Sequence, residues 1–301
     1  MPLAFSTLGC PGDSLAQVIE TARATGATGL ELRAADGEFV HPGMDAAARA
    51  VIAGALADAG LTVVTLASYV RICTPETDEG GIPTPGADAP GRSGTTDPVL
   101  AALLSAVDLA ADLSAGNAGH PAQLRVFPGA EMEPCERGEE PSVPMAAADL
   151  LGARRLNAAA SHARERGVVM LLETHDSHPR ASDLLRILAH VDADAPVKVI
   201  WDLMHPWRHD EAPQLTAELL GGWLAYAQYK DGVRTPGTNS VTLTLPGEGE
   251  LPLVEMKTLV AGISAAHGVD DPWISLEWER AWHPDLPPVA AALAALKAAL
   301  A

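Results

Sequence analysis

The sequence predicts a single-domain α/β protein, a (β/α)8 TIM barrel that takes up residues 1–301. Short β-rich runs occur eight times with helical patterns between them, and repeated βα units require a parallel sheet with helical crossovers. Polar residues follow the ends of at least four of these runs. A barrel gathers the carboxyl ends of all its strands at one face, whereas no GxGxxG motif supports the open doubly wound sheet that is the alternative.

The predicted strands and helices have recognisable boundaries. Asp13 or Ser14 begins the first helix and Gly26 ends it, Gly60 ends another, and Asp97 before a proline is a typical N-cap. Two Pro-rich segments, 74–97 and 128–144, are predicted to be long βα loops at the carboxyl ends of strands. The predicted strands are 3–8, 28–32, 62–67, 124–127, 168–173, 197–202, 224–229 and 273–277.

Composition excludes several classes of partner. The formal net charge is -19 and is spread along the chain, so the surface should repel nucleic acid and anionic lipid. Three cysteines without CxxC spacing favour a reducing compartment, and we expect a cytoplasmic protein. The sequence contains no apolar run of about 18 residues and no signal-peptide pattern, so we expect neither export nor a membrane anchor.

Four consecutive predicted strands, the fifth to the eighth, each end in polar residues. Charged groups rarely follow apolar strands into a barrel mouth unless they are paired or bind something. Side chains two apart on a strand share one side, so the first and third members of the strand-end triplets face the same way. The pairs that share a side in this way are Glu173 with His175 and Gln228 with Lys230, and the ends of the sixth and eighth strands add Asp202, His205 and Glu277.

The three carboxylates in this set would repel one another if they converged without a cation, so a divalent metal is the simplest compensation. Oxygen ligands from carboxylates and an amide favour Mg²⁺ or Mn²⁺, and the two nearby histidines leave Zn²⁺ or Co²⁺ as alternatives.

The order of these motifs resembles the sugar phosphate isomerase/epimerase superfamily, metal-dependent barrels similar to xylose isomerase. The motifs are E-x-H at 173–175, D-x-x-H at 202–205, Y-K-D at 229–231, G-E-G-E at 247–250 and S-L-E-W-E at 275–279. The resemblance implies proton carriers at Glu173 and Glu277. It also implies metal ligands at Glu173, Asp202, Gln228 and Glu277, and substrate contacts from His175, His205 and Arg234, to which we add Lys230.

One position departs from the superfamily pattern. A histidine normally precedes the hydrophobic-Lys-Asp triplet, and here that position is Gln228. An amide oxygen is a weaker and harder ligand than imidazole, which shifts preference toward Mg²⁺ or Mn²⁺ or else marks the loss of metal binding.

The predicted function is metal-dependent isomerisation or epimerisation of a small sugar, cyclitol or related hydroxy-carbonyl compound through an enediolate. The alternatives are an inosose-type dehydratase and a metal-depleted, noncatalytic sugar-binding barrel. A type IV apurinic endonuclease ranks low because the second and third strands end in 31–33 and 67–69 without the required histidines. The resemblance also makes a homodimer an expectation.

Each candidate residue also has a structural interpretation. Glu173 and Glu277 would then bond to neighbouring strands, and Asp202 would cap the following helix. Lys230 would be a buried counter-ion to the strand-end acids, and Arg125 on the fourth strand is favoured as the partner of a barrel carboxylate. His175 and His205 would be packing residues.

Overall fold

Eight parallel strands close into a barrel in the computed structural model, which describes residues 1–75 and 97–301. The strands follow chain order around the barrel, and the last strand closes on the first through Leu3 paired with Ile274. The (β/α)8 barrel predicted from the sequence is confirmed. The barrel strands are β1 (Leu3–Ser6), β2 (Gly29–Arg33), β3 (Thr62–Arg71), β4 (Ala122–Phe127), β5 (Val168–Glu173), β6 (Val197–Asp202), β7 (Leu224–Tyr229) and β10 (Ile274–Leu276).

Three predicted strands, β5, β6 and β7, have the predicted bounds at both ends. The first strand ends at Ser6 because residues Thr7–Gly9 form a 3₁₀ turn, which Ser6 begins by accepting a hydrogen bond from the Leu8 N–H. The last strand is shorter than predicted and ends at Leu276. Glu277 therefore lies one residue beyond the strand, at the rim of the barrel.

The helices lie between consecutive strands, and the predicted caps are present. Ser14 forms a capping box with Gln17, and Gly26 ends the same helix with a φ of 72°. Asp97 accepts from the N–H groups of Val99 and Leu100. The helices are α1 (Leu15–Thr25), α2 (Ala46–Asp58), α3 (Pro98–Leu113), α4 (Val143–Arg166), α5 (Ala181–Leu188), α6 (Met204–Arg208), α7 (Pro213–Leu220), α8 (Leu253–Ala266) and α9 (Val289–Ala299).

An antiparallel hairpin, β8 (Asp231–Arg234) with β9 (Val241–Thr244), follows β7 and was not predicted. The buried carboxylate of Asp231 anchors it. Its Oδ1 accepts from the N–H groups of Gly232 and Leu251, and its Oδ2 accepts from those of Gly247 and Gly249. The aspartate of Y-K-D and the G-E-G-E segment are thus two halves of one structural contact.

The interior of the barrel is filled at its amino-terminal end by a small apolar cluster: Ala4, Val64, Leu171, Ile200 and Tyr226. Gly29 is required here, because a Cβ at this position would lie 2.5 Å from the Trp273 ring and 2.6 Å from Val64. The larger apolar cluster packs between strands and helices. Side chains farther along the same strands are polar, so the barrel becomes charged toward its carboxyl-terminal face.

The predicted loop at 128–144 is present as a connection from β4 to α4, although its last two residues belong to the helix. Most of the other predicted loop, 74–97, lies outside the described residues. Among the helices that the structure describes, none is long and apolar enough to cross a membrane.

Candidate active site

Four buried carboxylates gather inside the carboxyl-terminal end of the barrel. Glu31 comes from β2, Glu173 from β5, Asp202 from β6, and Glu277 follows β10, and none is more than 4% exposed. Glu173, Asp202 and Glu277 each offer an oxygen within 4.8 Å of the other two. The sequence therefore predicted the convergence of these three acids correctly. Strand alternation is the reason, since Glu173 and Asp202 each follow an inward-facing apolar residue by two positions, and Glu277 follows Ser275, whose hydroxyl faces Glu31.

Arg125 on β4 lies between two of these acids. Its Nη1 is 3.3 Å from Glu173 Oε2 and 3.3 Å from Glu277 Oε1, and its Nη2 donates to the Ser68 carbonyl. The guanidinium also packs on the Phe127 ring, with 4.2 Å between Cζ and the ring centroid. The structural interpretation of Arg125 as the partner of a barrel carboxylate is what the structure shows.

Lys230 is the second internal cation. It is 1% exposed, yet its carboxylate neighbours raise its pKa well above the ordinary value despite burial. An ammonium has three donors, and here each faces a carboxylate. Its Nζ lies 2.7 Å from Asp202 Oδ2, 2.7 Å from Glu277 Oε2 and 2.5 Å from Glu279 Oε1. Lys230 is therefore placed as a counter-ion of the acids, while its contact with substrate stays a prediction.

The amide of Gln228 is oriented by two carboxylates. Its Nε2 donates to Glu31 Oε2 at 2.8 Å and approaches Glu277 Oε1 at 3.3 Å. Ser275 donates its hydroxyl to the other oxygen of Glu31. The Gln228 Oε1 atom is buried and accepts no hydrogen bond from any described residue. The side chain thus turns its nitrogen to the acids and keeps its oxygen free.

The negative charge of this cluster exceeds its positive charge. Four carboxylates face only Arg125 and Lys230, so the fully ionised cluster carries two uncompensated negative charges. Burial, reinforced by the charge of Glu277, raises the pKa of Glu31 to about 7. Burial also raises the pKa of Glu173 well above its ordinary value, against the opposing effect of Arg125. Two protons or one divalent cation would balance the cluster.

Several oxygens of the cluster have no hydrogen-bond donor among the described residues. They are both oxygens of Glu173, of which Oε2 lies 3.3 Å from Arg125 Nη1 without a hydrogen bond, and Oε1 of Gln228. Buried oxygens without donors are costly, and those of a carboxylate are costlier still. This donor set consists of oxygens and fits Mg²⁺ or Mn²⁺, with the qualification that Lys230 already touches Asp202 Oδ2.

The two oxygens of Asp202 have different surroundings. Its Oδ1 accepts from the Met204 N–H at 2.9 Å and so supports the first turn of α6, although Leu203 and not Asp202 occupies the N-cap position. Its Oδ2 faces the acid cluster. The two oxygens of one carboxylate are therefore divided between the fold and the site.

The two predicted histidines lie together beside Glu173. The rings of His175 and His205 are 4.5 Å apart, and with Glu173 they form a second group whose ligand atoms lie within 4.8 Å of one another. Burial, followed by the positive charges of His175 and Arg208, lowers the pKa of His205 well below its ordinary value. His205 is therefore neutral, and its ring can donate one hydrogen bond to a bound molecule and accept another.

Arg234 does not reach the acid cluster. Its Nη1 pairs with Asp210 at 2.5 Å, its Nη2 donates to the Trp207 carbonyl, and its guanidinium lies 4.4 Å above the Trp207 ring. These contacts hold it on the outer part of the mouth, and its predicted role in substrate binding stays a prediction.

Glu31 was not predicted as a site residue. The signal was a charged residue inside an otherwise apolar strand.

Comparisons with known proteins agree with this architecture. A family model described as a xylose isomerase-like TIM barrel matches residues 19–299. The D-psicose 3-epimerase of Clostridium cellulolyticum H10, solved with D-tagatose, is 14% identical, covers 99% of this chain and 98% of its own, and has a TM-score of 0.70. The probable 3-DHS dehydratase AsbF of Bacillus anthracis is 15% identical, with coverages of 99% and 98% and a TM-score of 0.66.

The IolI protein, solved with a zinc atom, is 14% identical, with coverages of 99% and 96% and a TM-score of 0.68. At these identities the likeness shows a shared fold. No curated protein sequence matches the chain significantly.

Proposed function

The chain belongs to the xylose isomerase-like TIM barrel family, and we propose that it is a divalent-metal-dependent isomerase or epimerase. Its substrate would be a small sugar, cyclitol or related hydroxy-carbonyl compound. One observation carries the proposal: Glu173, Asp202 and Glu277 bring oxygens within 4.8 Å of one another in a buried site, and both oxygens of Glu173 lack a hydrogen-bond donor among the described residues.

The proposed metal ligands are Glu173, Asp202, Gln228 and Glu277. A divalent ion held there would polarise a carbonyl oxygen and stabilise the negative charge of an enediolate. The amide oxygen of Gln228 supports its place in the set, because it is buried and free while the nitrogen is held by Glu31. Mg²⁺ or Mn²⁺ suits these oxygen ligands, and Zn²⁺ or Co²⁺ would suit the two histidines better.

The proposed proton carriers are Glu173 and Glu277. A general base works best when its pKa lies near the pH of operation, and burial raises the pKa of Glu173 in that direction. Arg125 lies 3.3 Å from an oxygen of each glutamate and holds the two at a fixed separation. One glutamate would remove the proton beside the carbonyl, and the other would return it to the same or the neighbouring carbon.

The proposed substrate contacts are made by four side chains: His175 and His205 close to Glu173, Lys230 within the acid cluster, and Arg234 on the outer part of the mouth. His175 and His205 can donate hydrogen bonds to hydroxyl or carbonyl oxygens, and burial keeps His205 uncharged. The epimerase and the dehydratase that share this fold act, by their names, on small hydroxylated molecules. That agreement supports the substrate class and leaves the individual compound open.

The test is hydrogen exchange at the carbon beside the carbonyl. Purified protein is incubated with ketoses, aldoses and inososes in deuterated water with Mn²⁺ or with EDTA, and exchange is followed by proton NMR. We expect exchange with Mn²⁺, little with EDTA, and none in Glu173→Gln. Glu165→Gln, a change on the exposed surface of α4, is the matched control and should behave as the wild type. Metal-independent exchange, or none with any substrate, would contradict the proposal.

A metal-free sugar-binding barrel is the second candidate, and the two internal cations favour it. Arg125 and Lys230 already contact all three acids of the proposed metal set. Thermal unfolding separates the candidates, since an ion that binds only the folded state raises the melting temperature in proportion to the logarithm of its concentration. A melting temperature that Mn²⁺ does not move in the wild type would favour the metal-free barrel. The inosose-type dehydratase is recognised in the same assay by a product that has lost water.

A further inference from the structure

Arg208 is an arginine without a partner at the mouth of a strongly acidic protein. It ends α6, three residues after His205, and so lies on the same side of that helix. No acidic oxygen among the described residues lies within 4.0 Å of its guanidinium, and its side chain makes no hydrogen bond within that part of the chain. Its Nε is buried and without an acceptor.

Other arginines around the barrel mouth are paired. Arg71 faces Asp176 at 3.6 Å, Arg180 binds Asp183 at 2.9 Å, and Arg234 binds Asp210. An unpaired guanidinium with a buried Nε is therefore the exception here. Because a buried donor without an acceptor destabilises the folded protein, such a group is explained best by a ligand that supplies the acceptor.

The charge of Arg208 acts on both cavities at the mouth. One, of about 380 Å³, is lined by residues that include Arg180, His209 and Asn239, and the other, of about 460 Å³, by residues that include Asp176. Burial, then Arg208 and Arg180, lowers the pKa of His209 to about 4, so this imidazole is neutral. Arg208 also contributes to the lowered pKa of Asp176. Arg208 itself lines neither cavity, but it adjoins His209, which lines the first.

We propose that Arg208 binds an anionic group, a carboxylate or a phosphate, on the hydroxy-carbonyl compound whose reacting carbons lie at the acid cluster. This inference rests on the proposed function and narrows its substrate to an acid or a phosphate ester. A planar guanidinium matches both kinds of oxyanion through two parallel hydrogen bonds. The neutral His209 adds a donor without adding charge, and His205, three residues before Arg208, has a ring nitrogen within 4.8 Å of a Glu173 oxygen.

The experiment measures binding by titration calorimetry with three probes that differ in one group: D-fructose, 2-keto-D-gluconate and D-fructose 6-phosphate. We expect the wild type to bind one anionic probe about ten- to a hundredfold more tightly than D-fructose, the range of one charged hydrogen-bond pair. Arg208→Gln should lose this preference and keep its affinity for D-fructose. Preference for the keto acid identifies a carboxylate site, and preference for the ester identifies a phosphate site.

Arg164→Gln is the matched control, because it removes the same charge from the opposite end of the barrel, where Arg164 pairs with Asp194. It should leave all three affinities unchanged. Arg208→Lys keeps the positive charge but lacks the planar guanidinium, so it should retain part of the preference for the anionic probe. This variant also tests the inference if Arg208→Gln does not fold. No anionic preference in the wild type, or an equal loss in Arg164→Gln, would overturn the inference.

The inference and the proposed function can fail separately. An anionic preference that depends on Arg208, in a protein without hydrogen exchange, keeps the anion site and removes the catalytic proposal. Hydrogen exchange that is equally fast on neutral and anionic compounds keeps the catalytic proposal and removes the anion site.

Discussion

Two buried clusters of charge lie in this barrel, and they differ in how completely their carboxylates are bonded. In the first, Asp149 accepts from His178 at 2.6 Å and from Arg186 at 2.8 Å, and Asp183 accepts from Arg186 at 2.7 Å and from Arg180 at 2.9 Å. All four of these oxygens have a donor. In the second, the acid cluster of the candidate active site, both oxygens of Glu173 have none among the described residues.

The difference separates a structural network from a functional one. The first cluster ties α4 to the start of α5, and each of its two acids accepts hydrogen bonds from two side chains. The second has more acids than cations, and both oxygens of Glu173 and the Oε1 atom of Gln228 lack a hydrogen-bond donor among the described residues. Burial alone therefore does not distinguish the two, whereas the bonding of each oxygen does.

The largest expected effect is on turnover in the second cluster. Glu173→Gln removes a proton carrier and should lower the rate of hydrogen exchange by about 10²- to 10⁴-fold. The same change removes one charge from a cluster in which acids outnumber cations, so the free energy of unfolding in urea should not fall. A variant that loses stability as well as activity would show that Glu173 belongs with the structural network.

Asp149→Ala should have the opposite pattern. Removing one partner from a buried ionic network leaves charges uncompensated and costs about 3–5 kcal/mol of unfolding free energy, measured by urea denaturation. The exchange rate per folded molecule should stay within a few-fold of the wild type, because Asp149 contacts no member of the acid cluster. A selective loss of activity in a stable protein would contradict this division.

Lys230→Met tests how the second cluster is balanced. Without the ammonium, Asp202 and Glu277 lose contacts of 2.7 Å, and the metal-free protein should lose about 2–3 kcal/mol of stability. Mn²⁺ should restore much of this loss if the acids hold an ion. A loss that Mn²⁺ cannot reverse would favour the metal-free barrel.

The smallest expected effect is the titration of His209. Its folded pKa, about 4, lies below the unfolded value, so the folded state resists protonation. Stability from this residue is therefore complete above about pH 6.5 and is lost as the pH falls toward 4. NMR titration of the imidazole should give the low pKa in the wild type and a higher one in Arg208→Gln. An unchanged His209 pKa in that variant would show that the Arg208 charge does not act on the cavity that His209 lines.

The sequence by itself determined the architecture. Apolar runs of suitable length between capped helices admit few arrangements, and eight of them close a barrel, so even the bounds of β5, β6 and β7 followed from the residues. The positions of Glu173, Asp202, Gln228 and Glu277 at the ends of parallel strands placed all four at the carboxyl-terminal end of the barrel. Strand alternation then predicted which of their neighbours face the same side. The hairpin after β7 and the role of Asp231 were missed, since they depend on a segment about 16 residues away along the chain.

Only the tertiary structure decided how those side chains are paired. Glu31 on β2, Arg125 on β4 and Lys230 just after β7 are distant from one another in the sequence. Their contacts with the other groups of the cluster depend on distances that no local pattern encodes. The same holds for Arg234, which a motif placed at the site and which Asp210 and Trp207 hold away from the acids. Local patterns fix which face a residue occupies, whereas the partner of a charge is chosen among groups that are distant in sequence and meet only when the barrel closes.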